Sequence, residues 1–464
     1  MKPTAPAGQC QNGPGEPLRI LGTYPQKQEG LSMQRIPILG GRITWQQWRA
    51  VAELAEQFTP DTPLHLTTRQ DIELHNVRQA DVPVLYQELD RAGLDTYGAC
   101  GDSIRNITVS PGCDLHPDDF DLLPAARLFH QVLNDQTAGR TLPRKFKISL
   151  CGLRDNRGAP YLSDLGFLIQ PDATFRVVGA GSLGPIPRTG IDLYEQVPAE
   201  AVLPLAAAVL ELFIELGERN NRSRARLRHI RERLGDEPFR TELDRRFQTL
   251  RKRQAWPSVP LPHGRSGYRH LYALQLPGGD LTAQAALELA QTAQSAGAVL
   301  RITLSHSLEL YANTPFPLPP SLRHLTDLPC VVACPGADSC PRALADAKQI
   351  GIQIQQTAVF RSAGCQIAVS GCPNGCAQSA AADIGLIGRR KTLNGRQQEC
   401  FDVYLNGGQG QSPQLGRKTE TVPAEQIESW LQNYLEQSER REQITRLPNP
   451  AAAPDARPAR GSGE

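Results

Sequence analysis

Ile36–Phe58 reads IPILGGRITWQQWRAVAELAEQF and is followed by Leu64–His75, LHLTTRQDIELH. The order is an apolar strand, a Gly-Gly turn, a threonine placed as a helix N-cap, an amphipathic helix, and an alternating strand. The same order returns at Leu274–Tyr311, LQLPGGDLTAQAALELAQTAQSAGAVLRITLSHSLELY. Gly40 and Gly41 match Gly278 and Gly279, Thr44 matches Thr282, and Leu64–His75 match Leu300–Tyr311 after a two-residue shift. The later parts also rhyme. CGDSIRNITVSPGC (Cys100–Cys113) precedes the strand RKFKISLCG, and the Cys334–Cys340 loop precedes, after a helix, the strand QIAVSGC. The expected fold is α+β with a pseudo-twofold repeat. Each half is a small α/β module followed by a larger mixed α/β one, with ligands at the seam between halves.

The halves differ where chemistry is expected. Cys334 and Cys340 frame ACPGADSC, a C-x5-C loop, and Cys372 and Cys376 frame GCPNGC, a C-x3-C loop. Four thiolates from two Gly/Pro-rich loops can close around an iron–sulfur cube. Zinc also accepts four cysteines, although C-x5-C is wide for its usual C-x2–4-C loops. Disulfides are the other alternative. Against them stand an odd total of eleven cysteines and the absence of a secretory h-region at the N-terminus. No apolar stretch approaches the length of a membrane span. Net charge is +2, so no global basic field points to nucleic acid. The arginine-dense stretch 218–253 reads as helix and chiefly as a solvated face, with docking of an acidic donor as a secondary use.

The first half has only a partial echo of these cysteines and carries cations instead. Lysine is scarce, eight in the chain, yet Lys145 and Lys147 sit two apart in PRKFK. On a strand that spacing puts both ammonium groups on one face, where they repel unless an anion lies between them. Arg69 lies in TTRQ, aligned with Ser305 of the second half, and Arg105 lies in the turn-rich GDSIRN. Each alone reads as surface decoration; together they predict an anion pocket.

These residues also carry a family resemblance. YPQKQEG (24–30), HLTTRQDIELH (65–75), CGDSIRN (100–106), LPRKFK (142–147) and the two cysteine loops, with ADIGLIG after the second, resemble the siroheme-dependent nitrite/sulfite reductases over about residues 20–435. The resemblance implies a [4Fe–4S] cluster on Cys334, Cys340, Cys372 and Cys376, the last also bridging to siroheme iron. It implies that Arg69, Arg105, Lys145 and Lys147 bind the anion, and that Gln70, His75, Asn106, Arg144 and Asn374 lie at the cofactors. It divides the chain into a leader expected to be disordered (1–15), a ferredoxin-like half-domain (16–80), a reductase domain on the anion/siroheme side (81–255), a second ferredoxin-like half-domain (256–320), a cluster/siroheme domain (321–440) and a tail expected to be disordered (447–464).

The implied reaction is six-electron reduction of sulfite to sulfide, with nitrite to ammonia as the alternative. Lys147 tips the choice to sulfite, because several nitrite reductases of the family carry asparagine there. Two rivals remain: a precorrin-3B synthase-like monooxygenase, which has no evident need of an anion clamp, and a cluster-carrying electron-transfer protein, which has no use for the cations. No flavin or nicotinamide motif is visible, since neither Gly-Gly turn is a G-x-G-x-x-G. The expected donor is therefore ferredoxin or a separate flavoprotein, with no membrane or nucleic-acid partner. The leader lacks the hydroxyl-rich, basic character of a transit peptide, so the expected location is the cytoplasm. The remaining cysteines read as small buried hydrophobes. Cys100 is noted for its place five residues before Arg105, and Cys10 falls in the leader.

Overall fold

The structure is a computed structural model that describes residues 19–357, 365–393, 395–410 and 413–436. The leader 1–15, the tail 447–464 and Cys10 lie outside the described residues.

Both repeated segments fold alike. After each Gly-Gly turn a threonine caps a 14-residue helix, Trp45–Phe58 or Ala283–Ala296. The Thr44 hydroxyl accepts from Gln47 N–H and Gln47 bonds back, a reciprocal cap; the Thr282 hydroxyl accepts from Ala285 N–H. Such a cap stabilises a helix by ~1 kcal/mol. The turns demand glycine: Gly41 has φ 68°, and a Cβ there would stand 2.1 Å from the Ile302 carbonyl oxygen.

That close approach marks how the halves join. The first small sheet runs Thr23–Pro25, Leu31–Pro37, Asp71–Arg78, Leu64–Leu66, and its last strand is Asp280–Leu281 from the other half. The second runs Arg269–Gln275, Ser307–Ala312, Val299–Ile302, and is completed by Arg42–Ile43 from the first half. Each half thus lends the residues after its Gly-Gly turn to its twin's sheet. The two helices pack on one another, with Trp48 Nε1 donating to Ala286 O at 2.9 Å. A single apolar core, including Ile36, Trp48, Leu74, Leu274, Leu289 and Leu310, serves both modules.

The larger modules repeat one topology. Thr108–Val109, Ile148–Cys151 and Leu165–Ile169 are parallel neighbours, followed by antiparallel Phe175–Gly179 and Ile191–Val197. Val331–Ala333, Ile367–Ser370 and Ile384–Leu393 are likewise parallel, followed by antiparallel Arg396–Leu405 and Arg417–Pro423. The mixed α/β fold in two repeated halves agrees with the sequence expectation. Parallel strands are buried on both faces; Ile148, Leu150, Leu165 and Phe167 are fully buried, and the apolar helix Ala199–Leu216 packs into the same core. Among the described residues no helix is long and apolar enough to cross a membrane.

Candidate functional site

Cys334 follows the strand Val331–Ala333, and Cys372 and Cys376 follow its parallel neighbour Ile367–Ser370, so both cysteine loops leave the same sheet edge. The loops are knitted together: Cys334 N–H donates to Val369 O at 3.0 Å and Leu344 N–H to Gly371 O at 2.7 Å. Gly371 N–H points at Cys334 Sγ, 3.1 Å away. The Gly336 N–H also donates to that sulfur, and the Asn374 backbone N–H donates to Cys372. Such N–H···S bonds favour thiolates and tune a metal cluster.

Cys334 and Cys372 are each perturbed by other thiols of the set. Burial first, then Cys376 and Cys372, push the Cys334 thiol up to about 12; burial, then Cys376 and Cys340, raise Cys372. Deprotonating such a group needs cationic metal at its centre. Among the described residues no three His, Cys, Asp or Glu groups converge as one metal ion requires. Four thiols from two loops are the number that a four-iron cube takes, one at each corner.

Opposite lies the Leu64–Leu66/Asp71–Arg78 hairpin of the first half. Its turn is Thr67-Thr68-Arg69-Gln70: Gln70 N–H bonds Thr67 O, and the Thr67 hydroxyl accepts from Arg69 N–H (3.2 Å) and Asp71 N–H (3.1 Å). Thr68 and Arg69 therefore stand at the tip. A cavity at the seam is lined by Thr68, Arg69, Lys147, Ser163, Cys376 and Gln378, among others. Lys145 and Lys147 flank Phe146, which is fully buried in the core; they lie just before the strand Ile148–Cys151 rather than within it, and both are half-buried, with Lys147 lining the cavity.

These cations are short of anions. Burial, then Arg226, pushes Lys145 down to about 7. Burial, then Arg69 and Lys145, pushes Lys147 well below the usual lysine range. Burial also lowers Arg69 and Arg105 to about 10. Among the described residues neither lysine has a carboxylate within ion-pair range, and Nε of Arg69 and of Arg105 is buried without a partner. A wall of desolvated, under-neutralised cations fits a tetrapyrrole bearing several carboxylates together with a small anion.

The other expected residues divide. Asn106 holds Arg69: its carbonyl accepts from Arg69 Nη2 at 2.5 Å, and its Nδ2 donates to Arg69 O and Asp71 Oδ1. Arg105 is anchored through Ala99 O and Gly101 O. Arg144 is half-buried and pairs with Asp102. The Asn374 side chain is exposed, and its backbone rather than its amide serves the thiols. Gln70 and His75 are held by protein partners. Gln70 is fully buried with φ 60°, and its amide bonds Val109 O and N–H and Ile302 O, stapling the halves rather than facing the cavity. His75 pairs with Glu73 (3.1 Å) and packs edge-on to His65, in a seam cluster with His306 and Asp280.

Sequence reasoning missed Arg226 and Asp164. Arg226 belongs to the stretch read as a solvated face, yet its side chain is 11% exposed and forks onto the fully buried Asp164 at 3.1 and 2.7 Å. Asp164 also accepts Lys147 N–H at 2.8 Å. The stretch is two helices, Leu227–Leu234 and Asp236–Arg253, parted at Gly235, and Arg226 caps the first. The helical period shows which face is apolar but not which arginine meets a distant carboxylate.

Comparison with known proteins agrees with this arrangement. The family model described as "Nitrite and sulphite reductase 4Fe-4S domain" matches residues 100–250 and 327–444, and the "Nitrite/Sulfite reductase ferredoxin-like half domain" matches residues 24–92. The chain is 30% identical to a ferredoxin–nitrite reductase of Synechococcus elongatus, covering 88% of this chain and 86% of that protein. It is 28% identical to the chloroplastic ferredoxin–nitrite reductase of Arabidopsis thaliana, covering 88% and 77%. The solved structure of Mycobacterium tuberculosis NirA shares the fold, with TM-score 0.74 and 21% identity over 93% of this chain and 90% of that one. The chain therefore belongs to the nitrite/sulfite reductase family, oxidoreductases that carry siroheme and a [4Fe–4S] cluster.

Proposed function

We propose that this chain reduces nitrite to ammonia with electrons from ferredoxin: nitrite, six electrons and eight protons give ammonium and two waters. The observation that carries this reading is the seam cavity, where Cys376 of one half faces Arg69 and Lys147 of the other. Cys334, Cys340, Cys372 and Cys376 would hold the cluster, and Cys376, which lines the cavity, would also hold siroheme. When bound, those cofactors would supply the single electrons that the reduction needs.

The chain supplies the rest. Arg69, anchored by Asn106, gives a fixed guanidinium for the incoming anion. Lys145 and Lys147 offset its charge, and an ammonium whose pKa sits near neutrality can pass a proton to a departing oxygen. An anion entering beside them raises their pKa again, so binding recruits the proton that the chemistry then uses. Arg105 and Arg144 would take cofactor carboxylates.

Nitrite takes precedence over sulfite because the relatives that cover most of this chain, from Synechococcus elongatus, Arabidopsis thaliana and Haloferax mediterranei, are named as nitrite reductases. This reverses the preference drawn from Lys147. That lysine still supports a second reading, sulfite to sulfide at the same site, since a cation there suits a more highly charged substrate. The cation wall also favours a reductase over a precorrin-3B synthase-like monooxygenase. Ferredoxin is the donor in those relatives' names, and a reducing cytoplasm suits ten described cysteines that are all unbridged.

The test is steady-state kinetics of holoprotein on both anions with one reduced ferredoxin. A higher kcat/KM for nitrite is expected. A higher value for sulfite would install the second reading, and turnover of neither would end both.

A further inference from the structure

The geometry points to Thr68 and Gln378 as positioning residues: they clamp the Cys376 loop of one half to the Arg69 hairpin of the other, fixing the spacing between the thiolate and cation sides of the site. This rests on the reading of the site under Proposed function.

Two hydrogen bonds cross the seam here. Thr68 Oγ1 donates to Cys376 O at 2.9 Å, and Gln378 Nε2 donates to Thr68 O at 3.3 Å. The first fixes the peptide plane next to Cys376 Cα, and with it the direction of the Cα–Cβ bond that aims the sulfur. The second holds the hairpin tip that aims Arg69. Gln378 is itself braced: it is buried, has φ 65°, and its Oε1 accepts from Gln409 Nε2 at 2.8 Å.

The repeat provides an internal control. The loops after Ile148–Cys151 and Ile367–Ser370 both reach a left-handed residue eight positions on (151 to 159, 370 to 378), followed by a short 3-10 turn. Ala159 thus stands where Gln378 does, and Arg157 where Cys376 does. The second hairpin has the same backbone bond at its turn, Thr303 N–H to Ser307 O matching Thr67 N–H to Asp71 O, which sets Leu304 in the place of Thr68. The equivalent contact is apolar, with Ala159, Leu162 and Leu304 in one cluster. Among the described residues no hydrogen bond joins these matching tip positions; this loop is tied to the second hairpin farther along, by Arg157 Nη1 to Glu309, so the tip-to-tip tie is confined to the thiol side. The tie occurs where a ligand loop must be held in register, as supporting residues around metal sites are.

The test compares holoproteins of wild type, Thr68→Val, Thr68→Ser and Gln378→Leu by iron content, the siroheme absorption spectrum, and nitrite affinity by spectral titration without turnover. Valine keeps threonine's shape and loses its donor. Thr68→Val and Gln378→Leu are expected to keep the iron, shift the visible bands, and weaken nitrite binding about tenfold, with Thr68→Ser restoring both. Wild-type spectra and affinity in both disrupted variants would overturn the clamp. Loss of colour that Thr68→Ser does not restore would overturn it too, by making the role merely structural. If Thr68→Val fails to accumulate, Gln378→Leu decides alone. A wild-type holoprotein without siroheme bands would instead end the reading of the site itself, before any variant is compared.

Discussion

Asp164→Asn separates a neutral decoration from a structural counter-charge. Asp164 is fully buried, and Arg226, 11% exposed, forks onto it at 3.1 and 2.7 Å. The substitution keeps the shape, removes the charge, and turns one acceptor into an amide that faces the donors Arg226 Nη2 and Lys147 N–H. It leaves a guanidinium unpaired beside Lys145 and Lys147, which Arg226 already influences. Breaking one partner of a buried pair costs about 3–5 kcal/mol. A domain of roughly 150–250 residues moves about 2–4 °C per kcal/mol, so Tm should fall by roughly 6–20 °C. The assay is thermal unfolding of the cofactor-free protein, followed with Asp164→Asn and with Asp164→Asn/Arg226→Met. Removing both charges together is expected to recover most of the loss, because no uncompensated ion remains. A shift under about 2 °C in the single variant, or a double variant as unstable as the single, would refute the argument.

Other consequences concern the site. Burial lowers Lys145, so nitrite affinity should fall as pH rises through the range in which that lysine loses its proton, read by spectral titration from about pH 6 to 9. The same group has a sign in stability: between ~7 and ~10 the unfolded lysine keeps a proton that the folded one has lost, so its contribution favours folding increasingly as pH rises across that window. Cys376→Ser is expected to abolish turnover with a reduced viologen and the electronic coupling of haem to cluster, checked by electron paramagnetic resonance. Lys147→Asn is expected to raise the nitrite-to-sulfite ratio of kcat/KM about tenfold, since the more highly charged anion depends more on a buried cation; an unchanged ratio would remove that lysine from substrate selection. Gly385→Ala would place a Cβ 1.8 Å from Ser379 O, and should cost ~2 kcal/mol or more in thermal unfolding.

What the sequence revealed was what local chemistry encodes. The Gly-Gly turns, the Thr44 and Thr282 caps and the alternating burial around Phe146 are each decided by neighbours a few residues away, and all are present. The thiol loops were legible because their spacing is set by the short turns that carry them. The direction of Gln70 was not legible, because adjacency to Arg69 in a motif says nothing about direction. At a hairpin turn the tip residue faces the cavity while its neighbour, at φ 60°, turns back into the seam. Arg226 and Asp164 are 62 residues apart, and nothing in the helical period names that pairing. The exchanged strands, two residues each, are too short to show a period at all.

Those exchanged strands constrain how this polypeptide could be taken apart. Arg42–Ile43 completes the second small sheet and Asp280–Leu281 completes the first, so a cut anywhere between residues 81 and 255 yields fragments that each lack an edge held by the other. Neither fragment should be a stable product alone, but two co-expressed fragments keep every pairing and can reassemble. A gene duplication that produced such a molecule would be hard to undo, because each copy has become part of the other's architecture.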